Sequence, residues 1–212
     1  MLKLIATLAL LAVIVIAGAV IWWRLEGRWR PKTIDKHQAE IAQLLERSDW
    51  VSAHAGGPKV YVIGFRACPD WSRYFDQEVP RLRKAGADVR MILVARRDEN
   101  GQSKSSPIER ATVAELWANR RPELLKTWQA TAPEKWTAAG IAPADGDAGR
   151  SALVEQGRAL VDQLQPLLKD NGLDRDRFRY PTVIWWTKDG KMKGCACEAE
   201  QTYRFVRKDL GA

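Results

Sequence analysis

The sequence predicts an α/β fold: a mixed sheet with helices on both faces and a helical insertion, behind one apolar N-terminal helix. Three observations predict it. Lys59–Phe65 and Asp88–Ala95 are β-rich, nearly continuous apolar runs joined by an amphipathic helical stretch. Thr182–Trp186 and Lys191–Cys197 flank an Asp-Gly turn. Between these two strand pairs lies a long stretch with helical periodicity.

The bulk properties fit this class. At 46% hydrophobic and 28% charged residues, the chain has a globular rather than a disordered composition. Its 212 residues leave room for one domain after the apolar segment. The net charge of +8 is spread over residues such as Arg66, Arg96, Arg120, Arg158 and Arg177. Without a basic run or a nucleic-acid motif this reads as a solvated surface, and no nucleic-acid partner is expected. Three cysteines are too few for a disulfide framework, and the odd count leaves at least one thiol unpaired within the chain.

From Leu4 to Trp23 the only polar side chain is Thr7. A helix of roughly 20 apolar residues crosses a hydrocarbon core, so residues 1–23 read as a single-pass anchor. Trp22 and Trp23 close the run, where indole rings favour the membrane interface. A cleaved signal peptide is the rival, with Ala17-Gly18-Ala19 as a small-x-small site. Arg24, Arg28, Arg30 and Lys32 come after the run and only Lys3 precedes it, which by charge count alone keeps the domain inside. A short N-terminal anchor instead exports the chain downstream of it. Together with the cysteine chemistry of the domain, the expectation is an inner-membrane protein with a periplasmic domain.

Residues 24–57 read as a juxtamembrane linker plus one helix, Gln38–Trp50, with Ile41, Leu44 and Leu45 at helical spacing. Ala55-Gly56-Gly57-Pro58 is a break. The folded domain is expected over 58–212. Lys59–Phe65 reads as a buried strand. Asp70–Ala85 reads as a helix with Trp71, Phe75, Val79 and Leu82 on one face, kinked at Pro80. Asp88–Ala95 completes a βαβ unit, so the two strands should be parallel.

The insertion should span about 106–172. It holds helices over Ile108–Trp117 and Pro122–Thr131, then a third that Ser151 starts as N-cap, with Glu155 near the capping-box position. Asn171-Gly172 closes that helix. Ala199–Leu210 is the last helix.

Cys68-Pro69 sits where the first strand hands over to its helix. Unpaired N–H groups and the positive end of the macrodipole stabilise a thiolate there. Pro69 suits the first helical turn. The bland alternative is a small buried hydrophobe. Tyr180-Pro181-Thr182 precedes the third strand and is a candidate cis bond.

In this order the elements resemble the thioredoxin superfamily. Phe65-Arg-Ala-Cys-Pro-Asp-Trp71 is similar to its active-site turn, and Tyr180-Pro181-Thr182 to its cis-proline loop. The helical insertion makes the chain most similar to periplasmic disulfide-bond oxidoreductases and isomerases. The resemblance covers Lys59 to the C-terminus. It implies that Cys68 is the attacking thiol and that Pro181, with Tyr180, Thr182, Pro69 and Trp71 around it, holds a substrate chain. The expected partner is a protein thiol or disulfide, with no cofactor. One departure stands out: Trp71 occupies the place of the second motif cysteine.

Cys195 and Cys197 offer a substitute. The return strand of the hairpin ends on the active-site side, and alternate residues share a face. One of the pair, Cys197 first, is expected near Cys68 as a resolving thiol. Two other readings stand beside this one. The domain can be a redox-inactive binding or assembly module. Less favoured, the three thiolates can hold a soft metal such as Cu(I) or zinc. His37 and His54 form no ligand spacing with the cysteines.

Overall fold

The computed structural model describes residues 2–53, 56–173 and 176–212, with side chains from residue 11 onward. The chain forms two compact units, Met1–Arg30 and Pro31–Ala212.

The first unit is helix α1, Leu2–Leu25, and a short 3-10 turn, Gly27–Trp29. The described apolar side chains of α1, such as Ile14, Ile16, Ile21, Trp22 and Trp23, are exposed. Arg28 lies over the ring of Trp29, and Arg30 over that of Trp22. Among the described residues no helix is long and apolar enough to cross a membrane.

The second unit is α/β. Among the described residues the sheet has five strands, in the order β1 (Lys32–Thr33), β5 (Met192–Ala196), β4 (Thr182–Trp186), β2 (Lys59–Gly64) and β3 (Asp88–Leu93). β2 and β3 are parallel, as their βαβ connection requires, and the other pairings are antiparallel. The connection holds α3 (Pro69–Gln77) and α4 (Val79–Lys84). They part at Glu78, two residues before Pro80, where the ring cannot continue the helix. Between β3 and β4 the chain inserts α5 (Pro107–Asn119), α6 (Pro122–Ala130) and α7 (Ala148–Asp170). Helix α8, Glu200–Leu210, ends the chain.

Strand pairing fixes which face each side chain takes. Directly opposed residues share a face, so Val62, Val183 and Cys195 point one way, with Gly64 two residues beyond Val62. That face carries α3 and α8, because Trp71 covers Gly64 and the Trp185 indole donates to Asp209 at 3.2 Å. Tyr61, Ile184 and Gly194 take the other face, where Ile34 and Leu173 crowd Gly194. The half-buried Trp186 packs its edge on Tyr61 there, with ring centroids 6.1 Å apart.

Two expectations need correction. Residues 31–53 are part of the domain rather than a linker. β1 pairs with β5, the fully buried Ile34 donates to the Met192 carbonyl, and the Asn171 side chain accepts from the amides of Asp35 and Lys36. Helix α2 (Gln38–Arg47) buries Ile41 and Leu45, and Val51 bridges to Met91 on the outer edge of β3. The second correction concerns α7. It is capped by Asp147, whose carboxylate accepts from the Arg150 amide at 2.9 Å. Ser151 lies inside the helix and donates back to the Ala144 carbonyl.

Candidate functional site

Cys68 is the N-cap of α3, in an extended conformation (φ −83°, ψ 117°), with Pro69 in the first turn. Its amide donates to the Phe65 carbonyl at 3.2 Å, and its own carbonyl accepts from Ser72 at 3.1 Å. The thiol is therefore held by backbone on both sides of the strand-to-helix corner. It is 8% exposed and unbridged, and its Sγ lies 3.5 Å from the Tyr180 carbonyl oxygen.

That carbonyl belongs to the Tyr180-Pro181 peptide, which is cis, as the X-Pro position before a strand suggests. The ring of Tyr180 meets Phe65 edge-on at 4.9 Å and Phe178 at 5.1 Å. Thr182 is fully buried and donates to the Arg179 carbonyl at 2.6 Å, which closes the loop on itself. Beside this corner opens a cavity of about 550 Å³ whose lining includes Phe65, Cys68, Arg96, Phe178, Tyr180 and Glu198. It has an aromatic wall and a charged rim, the pattern of a ligand site.

Most charges of the rim are paired: Arg97 with Glu155 and Asp162, Arg158 with Glu155, and Arg179 with Glu198. Arg96 differs. Its guanidinium lies 4.1 Å from the centre of the Phe65 ring, and its Nε is buried without a hydrogen-bond partner among the described residues. Glu109, at the start of α5, lies outside the cavity lining. Burial pushes its carboxyl above the usual carboxylate range, against the Ser106 hydrogen bond and the charges of Arg96, Arg66 and Arg110.

Cys195 and Cys197 are bridged to each other, with Cα atoms 5.2 Å apart. The expected free resolving thiol is thus tied up, and Cys68 is the unbridged cysteine. The pair nevertheless lies beside the cis-proline loop. Ala196 pairs with Thr182, and the Cys197 amide donates to the Pro181 carbonyl at 2.8 Å. Cys68 and Cys197 therefore contact consecutive carbonyls of the same cis-proline loop.

The remaining candidates divide. Tyr180 lines the cavity, whereas Pro181 and Thr182 are buried beneath it. Pro69 is exposed but outside the cavity lining. Trp71 is corrected: it is fully buried between Gly64 and Phe75 and presents nothing to a substrate. Gly64 leaves the space that the indole fills, so the residue in the second motif position serves the core. Phe178 and Arg96 escape the sequence reading. The aromatic pair Phe178 and Tyr180 ahead of the proline is the available signal.

His37 pairs with Asp170 at 3.1 Å, and His54 lies outside the described residues. Among the described residues no three His, Cys, Asp or Glu side chains are grouped to hold a metal ion. Compared with known proteins, the chain matches no family model and no curated protein.

Proposed function

We propose that the protein is a thioredoxin-like thiol-disulfide oxidoreductase that works through Cys68. The observation that carries this is the position of the Cys68 sulfur. It belongs to the N-cap residue of α3 and lies 3.5 Å from the carbonyl ahead of cis-Pro181, at the edge of an aromatic-walled cavity. Cys68 attacks a protein disulfide or receives one, and a mixed disulfide forms. The cis-proline loop orients the incoming chain by main-chain pairing. Once the Cys195–Cys197 bridge is reduced by an external thiol, one of its thiolates attacks the Cys68 sulfur, forms a bond to it and expels the substrate thiolate, since Trp71 leaves the helix without a second thiol. The apolar run from Leu4 to Trp23 in the sequence is the ground for placing the chain at the inner membrane with the domain on the periplasmic side, where disulfides persist, although no described helix meets the length and apolarity of a span.

The test is a full-length chain carrying Cys195→Ser and Cys197→Ser, exposed to a disulfide-bonded peptide. It should accumulate a stable mixed disulfide at Cys68, read by mass spectrometry. A folded chain that gives no such adduct sinks the reading.

One observation favours a second reading, a redox-inactive binding module: the second motif position is filled by a core tryptophan. A binding role survives Cys68→Ser, and an exchange role does not.

A further inference from the structure

All three cysteines stand at one end of the sheet. β2 and β5 point the same way, because each is antiparallel to β4 between them. Their C-terminal ends, which lead into Cys68 and Cys197, therefore lie together. Cys195 takes the face that α3 and α8 cover, Cys197 is bridged to it from the turn just beyond β5, and Cys68 starts α3. The backbones of β2 and β5 are about 10 Å apart, two strand spacings. Cys68 narrows that gap by leaning on the Tyr180 carbonyl, while Cys197 hangs on the next one. Glu198, the neighbour of Cys197, lines the same cavity as Cys68.

From this placement we infer that the Cys195–Cys197 bridge is an internal electron acceptor that Cys68 serves as a relay, so that the protein oxidises a dithiol substrate. The inference rests on Cys68 being an exchanging thiol, and it adds the direction of electron flow. In the first step the Cys68 thiolate attacks Sγ of Cys197. A Cys68–Cys197 bond forms and Cys195 leaves as a thiolate. One substrate thiolate then attacks Sγ of Cys68 and expels Cys197. The second substrate thiolate attacks its own linked sulfur and expels Cys68. In sum, a substrate dithiol becomes a disulfide, and Cys195 and Cys197 gain two electrons and two protons. An external disulfide then restores the bridge by the reverse exchange. A disulfide between Cys68 and Cys197 needs Cα atoms within about 7 Å. Cys197 lies in the turn 197–199 between β5 and α8, and the relay requires that turn to move toward Cys68.

The experiment mixes the oxidised full-length chain with one equivalent of a reduced two-cysteine peptide, then applies acid quench, alkylation and disulfide mapping. The expected result is one peptide oxidised per chain, with new thiols at Cys195 and Cys197, and a transient Cys68–Cys197 link at early times. Cys68→Ser should slow reduction of the bridge about 100-fold or more. Cys195→Ser, equilibrated with glutathione disulfide, should hold a stable Cys68–Cys197 link. Equal bridge reduction in wild type and Cys68→Ser overturns the relay. So does the absence of the Cys68–Cys197 link both in Cys195→Ser and in the wild-type time course. If the double-serine chain still traps peptide at Cys68 in that case, the exchange reading stands and the relay alone falls. If it traps none, both fall.

Discussion

The two ends of the sheet are built on opposite rules. At the end where β2 and β3 begin, the charged groups around Arg90 are partnered, although the Trp50 indole nitrogen is buried without a hydrogen bond among the described residues. Arg90 donates to Asp88 at 2.7 Å, to Glu46 at 2.8 Å and to the Tyr61 hydroxyl at 2.6 Å, and it stacks 3.9 Å over Trp50. Ser52 completes Asp88 at 2.6 Å, and Lys59 pairs with Glu46. At the end where β2 and β5 stop, a thiol faces a carbonyl, a guanidinium nitrogen is buried without a partner among the described residues, and a cavity opens. A fully satisfied network adds rigidity and specificity, whereas groups left without partners are where a ligand has something to bind. The paired end holds the strands in register, and under the proposed function the other end leaves the Cys68 sulfur for exchange.

The sharpest way to break this comparison is to cross its two readouts. Cys68→Ser should abolish mixed-disulfide formation entirely while changing unfolding free energy by less than about 1 kcal/mol, as exchange of one small group for another should. Mass spectrometry and urea denaturation on the same sample check both halves. Asp88→Ala should do the reverse. It removes one partner each from Arg90 and Ser52, and breaking one partner of a buried ion pair costs about 3–5 kcal/mol. Adduct formation at Cys68 should stay at the wild-type rate in the folded fraction. A large fall in that rate would show the two ends to be coupled.

Gly64 joins the two ends, since it is the last residue of β2 and the floor beneath Trp71. Any Cβ there meets the indole. Gly64→Ala should cost about 1–3 kcal/mol through overpacking and should also displace the start of α3. Unlike the first two variants, it should lower stability and adduct rate together. Loss of stability with an unchanged rate would mean that Trp71 yields without moving Cys68.

Much of this is readable in the sequence, and the failures have physical causes. The strands, the break near Pro80, the hairpin and the helices of the insertion come from periodicity and from Gly and Pro chemistry, which act locally. β1 is invisible in the sequence because two exposed residues, Lys32 and Thr33, carry no pattern, and only the free edge of β5 makes them a strand. The cap of α7 is ambiguous because Asp147 and Ser151 are both good caps, and the choice turns on the Ala144 carbonyl that Ser151 reaches. Cys68 and the cis-proline are legible from order alone, since both sit at element junctions. That Trp71 is core rather than groove depends on Gly64, which leads it in the chain by two helical turns' worth of residues and meets it only once α3 folds back over β2. The mutual pairing of Cys195 and Cys197 is not legible, because strand alternation places them on one face but does not say whether the turn after Ala196 draws them together.

The smallest effect separates the two ends by pH. Burial works to raise the Glu46 carboxyl, but hydrogen bonds from Lys59, Tyr61 and Arg90 outweigh it and hold the group below the usual carboxylate range. Glu109 goes the other way, because burial outweighs the Ser106 bond and the arginines around it. Linkage sets the signs. A depressed carboxyl adds stability above its unfolded value of 4.5, and that stability is lost as pH falls through the lower folded value. A raised carboxyl adds stability below 4.5, and this is lost as pH rises through the higher folded value. Glu46→Gln should therefore weaken the chain near neutrality and flatten its acid limb. Glu109→Gln should strengthen it near neutrality and leave the acid limb unchanged. Urea midpoints from pH 3 to 8 compare the pair directly. The Glu46 effect should be modest, since its side chain is 43% exposed and solvent screens it. Two variants that move in the same direction at pH 7 would mean that Glu109 is held charged by Arg66 and Arg96, and that the cavity end is as fully paired as its opposite.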